Sequence, residues 1–385
     1  MNFSIKEWPD LGVKAEISAF VPEGGVAEHH VMLHVEPRGE LFAGQRNRLL
    51  AAEGRLMAEV LTESSVVMKR YFLSDSSNQA PLMEEAMASS EPSPAAVSYI
   101  QQPPLDGSKV AAWIYCVGRD VEVTTVEGFT VAAHNGYRHL WRMGLAENEG
   151  TSFIQTDTLL RQYEASLTLF DATLADNCIR TWFFVRDVDT QYTGMVKARM
   201  ANFFEQGLTS KTHYLASTGI QGLPADQKAI IQLGTYAVTG LAPEQQHYLY
   251  ALDHLNPTIE YGVTFERGTL VNYGDRAHAI ISGTASIDNK GQVMHVGDIV
   301  RQTERMWENV EALLAEAQMT MADCAQLIVY LRDVSDYETV RRMFAEKYPD
   351  IPTVFTLAPV CRPTWLIEME CIGIAERENG AYRPF

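Results

Sequence analysis

Cys361-Arg362-Pro363-Thr364-Trp365-Leu366-Ile367-Glu368-Met369-Glu370-Cys371 forms the closing strand of the chain and its lead-in, and its alternation decides how the fold is read. Trp365, Ile367, Met369 and Cys371 fall on one face of an extended segment, while Leu366, Glu368, Glu370 and Ile372 fall on the other. Two carboxylates therefore stand side by side in an apolar setting. Either both lie on a solvated face, or they are partly buried and at least one has a raised pKa. The second state is what a general acid needs near neutral pH.

Working back from this strand, Ile328-Val329-Tyr330-Leu331-Arg332-Asp333 is a β-rich run closed by an aspartate. An amphipathic helix precedes it, with Ile299, Val300, Thr303, Met306, Trp307, Val310 and Leu314 at helical spacing and Asp298 placed to cap its N-terminus. The pattern recurs. Met68-Lys69-Arg70-Tyr71-Phe72-Leu73-Ser74-Asp75 and Thr181-Trp182-Phe183-Phe184-Val185-Arg186-Asp187 are also β-rich runs ending in aspartate, each after an amphipathic helix and before a shorter helix and two strands. The order ββαβαββ, three times over, predicts an α+β fold of three tandem units. The expected boundaries are residues 1–127, 128–240 and 266–385, with 241–265 as a connecting insertion. Each unit leaves one sheet face bare, and three in one chain cover those faces against each other as a closed trimer would. The expected assembly is thus a monomeric pseudo-trimer, with ligand sites in the clefts between units.

Composition narrows the function. Against 31 Lys and Arg stand 49 Asp and Glu, a net charge of -18, which repels nucleic-acid backbones and anionic lipid, so neither is an expected partner. Five cysteines without C-x-x-C spacing argue against a disulfide framework and a structural zinc, and a reduced, cytoplasmic setting is expected. His29, His30 and His34 cluster, but no Cys or carboxylate completes a zinc set at the usual spacing. No Walker, GxGxxG or GxSxG pattern appears in the context that it needs, so no metal and no cofactor are expected.

The third unit resembles the RidA family, also called YjgF or L-PSP. The resemblance rests on Ile281-Ser282-Gly283, the helix opening Gly297-Asp298 with Gln302 and Asn309 inside it, Val329 to Asp333, Pro352, and Ile367-Glu368-Met369-Glu370. It implies chorismate-mutase-like units that assemble as trimers with clefts as ligand sites, and members that hydrolyse enamines or imines; older labels call relatives endoribonucleases or translation inhibitors. Such deaminases hold the substrate carboxylate with an arginine two residues after the matched proline. Here Val354 stands in that place, and Ala96 and His213 are matched to it in the other units. A neutral side chain offers no bidentate fork to a carboxylate, so ordinary imine deamination is put in doubt.

A second resemblance is to the C-terminal half of chorismatases, which hydrolyse the enolpyruvyl ether of chorismate. It is carried by Ser282-Gly283-Thr284-Ala285-Ser286, His295-Val296-Gly297-Asp298 and Cys361-Arg362, with Glu368 seven residues after the cysteine. Asn256-Pro257 and Tyr261 in the insertion add to it. It implies Glu368 as the catalytic acid. The expected site joins Glu368 and Cys361 as catalytic candidates with Arg362, Arg142, Arg276, Tyr273, Ala285 and Glu370 as candidates for binding a small carboxylated metabolite. A structural role for these residues, or a metabolite-binding protein without catalysis, is the alternative; a ribonuclease has little support from so acidic a chain.

Overall fold

The computed structural model describes residues 1–89 and 93–385, with the side chain of Tyr261 outside that description. The first sheet holds β1 (Asn2–Trp8), β2 (Val13–Phe20), β3 (Glu28–Val35), β4 (Ser64–Leu73), β5 (Ala96–Gln101) and β6 (Val110–Gly118), with helices α1 (Phe42–Glu59) and α2 (Ser76–Ala88). The second holds β7 (Glu122–Val126), β8 (Phe129–His134), β9 (Tyr137–Ala146), β10 (Cys178–Val185), β11 (Ala216–Gln221) and β12 (Ile231–Thr239), with α3 (Ser152–Leu167), the single turn α4 (Leu174–Asn177) and α5 (Val188–Glu205). The third holds β13 (Gln246–Leu249), β14 (Gly268–Asn272), β15 (Arg276–Ala285), β16 (Cys324–Leu331), β17 (Thr353–Leu357) and β18 (Ile367–Glu376), with α6 (Ile299–Glu316) and α7 (Tyr337–Lys347).

All three sheets have the same strand order, β1-β2-β3-β6-β4-β5 and its equivalents, so the chain is three tandem α+β units of one topology. Even the irregularities repeat: a bulge falls at Val66/Met68, at Cys178/Arg180 and at Cys324/Gln326. Two of the three closing aspartates accept a backbone amide, and the third, Asp187, accepts from the Thr190 hydroxyl at 2.7 Å. Asp75 accepts from the Asn78 amide at the start of α2, and Asp333 accepts from the Ser335 amide. Asp298 caps α6 through the Arg301 amide at 3.0 Å, as its position predicts.

Three expectations need correction. Each unit opens with one strand more than ββαβαββ allows, because β1, β7 and β13 extend their sheets at the edge. Strand β7 lies before residue 128 yet pairs with β8 of the second sheet, and the insertion 241–265 supplies β13, which pairs with β14. Short, polar edge strands such as Glu122–Val126 carry little periodic signal. Counting from the shared bulge, the residues equivalent to Val354 are Ser98 and Thr218, not Ala96 and His213. His213 drops out because the turn in which the Thr212 amide donates to Thr209 delays β11 to Ala216.

The outer faces of the first two sheets pack on their own helices, with Leu33 and Ile114 against Leu49 and Leu56 in the first, and Phe183 and Leu233 against Leu159 and Tyr163 in the second. The inner faces meet in one core that joins Met32 and Trp113, Trp141 and Trp182, and Ile280 and Ile374 from the three sheets. This common core puts strand β18 at the join and fixes what its alternation means. Met369 and Cys371 face the helices, while Glu368 and Glu370 point into the interior between units, 5% and 2% exposed. Among the described residues no helix is long and apolar enough to cross a membrane.

Candidate active site

Glu368 opens onto a small cavity between the second and third sheets, lined by Ser217, Thr218 and Gly219 of β11, Gly283 and Ala285 of β15, Arg199 and Tyr192 of α5, and Cys361, Arg362 and Trp365 from the lead-in to β18. Val263 and Phe265 from the end of the insertion and Arg267 just after it complete the wall. The free space is about 30 Å³, room for roughly two waters. Position is set by backbone pairing: Glu368 stands opposite Ala285 on β15 and Tyr330 on β16. β15 is irregular between Ile281 and Thr284, and there Gly283 lies flat against the acid. A Cβ on Gly283 would come 2.1 Å from a Glu368 oxygen.

Burial pushes the Glu368 carboxyl up to about 8, the Glu370 charge adds to the rise, and Arg180 and Arg267 offset only part of it. No hydrogen bond from the described residues reaches Glu368. It is therefore a neutral acid at pH 7, facing a cavity. Glu370, two residues on, is held differently. Its Oε2 accepts from Arg180 Nη2 at 2.8 Å and Thr218 Oγ1 at 2.6 Å, its Oε1 accepts from Trp182 Nε1 at 2.8 Å, and Arg70 Nη1 stands 3.7 Å away.

Two arginines at the cavity are almost fully buried. Arg199 donates to Ser217 Oγ at 3.2 Å and lies over Phe183 and Phe265; Arg267 donates to the Asn256 carbonyl at 3.1 Å and lies over Phe265. Arg362 is stacked on Trp365 at 5.1 Å. Cys361 lines the same space half-buried, its thiol pushed up to about 12 by burial and by Glu368, so it is a neutral thiol rather than a thiolate.

Of the residues expected from sequence, Glu368, Cys361, Arg362 and Ala285 meet at this cavity, and Glu370 sits behind it. Three do not reach it. Arg276 starts β15, nine residues from Ala285 and so roughly 30 Å along an extended strand; it is locked to Glu28 and Asp275, each at 2.7 Å. Tyr273 precedes it in a buried aromatic cluster with Tyr137, His278 and Phe385. Arg142 is stacked on Phe129, on the helix side of the second sheet. Sequence reading missed Arg199, Arg267, Tyr192, Thr218 and Gly219, which come from the second unit or, for Arg267, from just after the insertion, and share no motif with β18.

A larger cleft of about 700 Å³ lies between the first and third sheets. His34 stands 3.5 Å from Glu16 and 3.8 Å from Asp106. Burial works against both charges, but the pair holds Glu16 down to about 2 and lifts His34 to about 9. The acidic and basic groups at its centre, Glu16, Asp106 and His34, are thus turned towards each other.

The family profile described as Endoribonuclease L-PSP matches residues 271–375. A RutC family protein of Pyrococcus abyssi is 32% identical over 98 residues, 25% of this chain and 77% of the relative. The 3-aminoacrylate deaminase RutC of Acinetobacter baylyi is 31% identical over 70 residues, 18% of this chain and 56% of the relative. Among solved structures, a chorismatase matches with a TM-score of 0.62 at 20% identity, over 80% of this chain and 93% of the other, which establishes likeness of fold.

Proposed function

The chain belongs to the RidA superfamily of RutC and L-PSP proteins, and from that premise we propose that it hydrolyses a small carboxylated enol ether or enamine in the cavity between its second and third units, with Glu368 as the acid. The observation that carries this reading is the buried, neutral Glu368 carboxyl, without a hydrogen-bond partner among the described residues, facing a space walled by Arg199, Arg267 and Arg362. Such an acid is placed to give its proton to a substrate.

In an enol ether the carbon–carbon double bond supplies the electron pair that takes the Glu368 proton, forming a C–H bond at the terminal carbon and a cation at the carbon bearing oxygen. Water adds to that carbon. Its proton is taken by the Glu368 carboxylate and then passed to the departing alkoxide as the old C–O bond breaks. An alcohol and a 2-oxo acid are released, one water is consumed, and nothing is oxidised or reduced. An enamine follows the same course with an amine leaving. Arg199, Arg267 and Arg362 hold the carboxylate groups, since guanidinium pairs with carboxylate through two parallel hydrogen bonds. Three such groups suit a substrate with more than one carboxylate. The side chains of Tyr192, Arg362 and Trp365 shift to admit it, because the resting space is far smaller than such a molecule.

The neutral Val354, Ser98 and Thr218 at the position of the deaminase arginine favour the enol ether over the imine. The test is pyruvate release from chorismate by the wild type and by Glu368→Gln, with a loss of roughly 10²- to 10⁴-fold in the variant. No pyruvate from folded wild type at high concentration would sink the enol-ether reading and leave ammonia release from an enamine as the next assay. Equal binding of the acid by both forms, with no turnover of either substrate, would make the protein a metabolite-binding one.

A further inference from the structure

Glu370 is the most heavily contacted carboxylate near the site, yet it does not line the cavity. Among the described residues its side-chain hydrogen-bond and ion-pair partners all come from other units: Arg180, Trp182 and Thr218 from the second and Arg70 from the first. Every hydrogen bond to it is donated by the partner, so both oxygens act as acceptors, as in the ionised group. Arg180 and Arg70 are themselves 1% and 0% exposed. Arg70 lies over the rings of Trp113, Trp182 and Phe184 at 5.2, 4.8 and 4.9 Å. Arg180 also donates to Thr218 Oγ1, which in turn donates to Glu370 and accepts from the Gly283 amide at 2.9 Å. The chain Arg180, Glu370, Thr218, Gly283 thus ends on the backbone against which Glu368 rests.

Two buried cations and two adjacent carboxylates therefore stand at the join of the units, and the geometry gives both cations to one carboxylate. Resting on the proposed function, we propose that Glu370 is a positioning residue: by engaging Arg180 and Arg70 it keeps these two buried cations from pairing with Glu368, so the transferable proton stays on Glu368 at neutral pH. Were the cations shared, Glu368 would ionise and lose its role as an acid. The other groups facing Glu368 are Tyr330 from β16, Arg267 from the insertion side and Cys361 from its own lead-in. Across the cavity stand Tyr192 and Arg199 from α5 and Arg362 from the lead-in; Arg199 is held by Ser217, Arg267 by Asn256, and Arg362 is stacked on Trp365.

The experiment reads Glu368 directly, without substrate. Infrared difference spectra of the full chain across pH 5 to 10 contain a protonated-carboxyl band, identified by its disappearance in Glu368→Gln. In Glu370→Gln that band is expected to titrate at least one pH unit lower than in the wild type, because Arg180 is released to Glu368. In Glu370→Asp, which keeps the charge, the midpoint is expected near the wild-type value. Arg180→Met, which removes the largest opposing charge, is expected to move the midpoint upward and serves if Glu370→Gln does not fold. An unchanged midpoint in Glu370→Gln, or in Arg180→Met where that variant stands in, would overturn the proposal. A shifted midpoint in a protein that turns over neither an enol ether nor an enamine would leave the charge arrangement standing and remove the proposed function instead.

Discussion

The cleft between the first and second units and the cleft between the second and third are built from equivalent strands at the same register, and two positions show how they part. In the first, Ser98 on β5 faces Gln232 on β12, and the Gln232 amide donates to Ser98 Oγ at 3.1 Å in a buried, self-satisfied pair. In the second, the equivalent residues are Thr218 and Glu368. Thr218 turns to Glu370, and Glu368 is left facing the cavity. The backbone thus provides a cleft in both places, but only the second buries a polar group without a hydrogen-bond partner among the described residues, and such a group costs stability. The remaining cleft, with Val354 and Ala111 at these positions, holds neither arrangement and opens to about 700 Å³.

That contrast makes Glu368 a liability to the fold. Folded Glu368 keeps its proton up to about pH 8, whereas an unperturbed glutamate loses it near 4.5. Between those values the unfolded chain binds fewer protons, so stability falls as pH rises, by about 1.4 kcal/mol per pH unit for this group. Glu368→Gln is expected to be more stable than wild type by on the order of a few kcal/mol at pH 9, with the gap closing towards pH 4.5, as denaturant melts at a series of pH values will read. Equal stability at all pH values would mean that Glu368 is not buried as an acid, and the two clefts would then differ in name only.

The contrast sharpens at Gly283. Placing a methyl group 2.1 Å from the Glu368 oxygen and 3.1 Å from Thr218 forces the acid aside. Gly283→Ala is expected to lower kcat by roughly 10²-fold, with substrate binding less affected, since misplacing a reacting group by about 1 Å has that cost. Arg267→Ala removes a charged hydrogen-bond donor from the binding wall and is expected to raise KM by roughly 10- to 100-fold with little change in kcat. The smallest effect belongs to the quiet cleft. Gln232→Leu leaves Ser98 unpaired and is expected to cost about 1 kcal/mol of stability while leaving turnover unchanged. A loss of activity in that variant would show that the two clefts work together.

How legible the site was depends on where each residue sits along the chain. Glu368, Cys361, Arg362 and Ala285 lie in two short segments of one unit, where strand alternation and motif spacing are local signals. Arg199 and Thr218 belong to α5 and β11 of another unit, and Arg267 follows the insertion; each reads in sequence as an ordinary polar residue of an ordinary element. Arg276 and Tyr273 were misplaced for the converse reason. They are close to Ala285 in sequence, but an extended strand carries them to its far end, where Arg276 meets Glu28 of the first unit.

The sequence by itself determined the three-fold repetition, the helix and strand order apart from the edge strands, and the pairing of two glutamates on one face of the last strand, because all of these are expressed as periodicity and local capping. It left open whether that face met water. Only the tertiary structure decided this, by closing three sheets on one another so that the glutamates met Arg70, Arg180 and Arg267 from elsewhere in the chain. Burial and charge are sums over everything packed around a group, and two identical carboxyls two residues apart became different there: Glu370 took the hydrogen bonds, and Glu368 kept the proton.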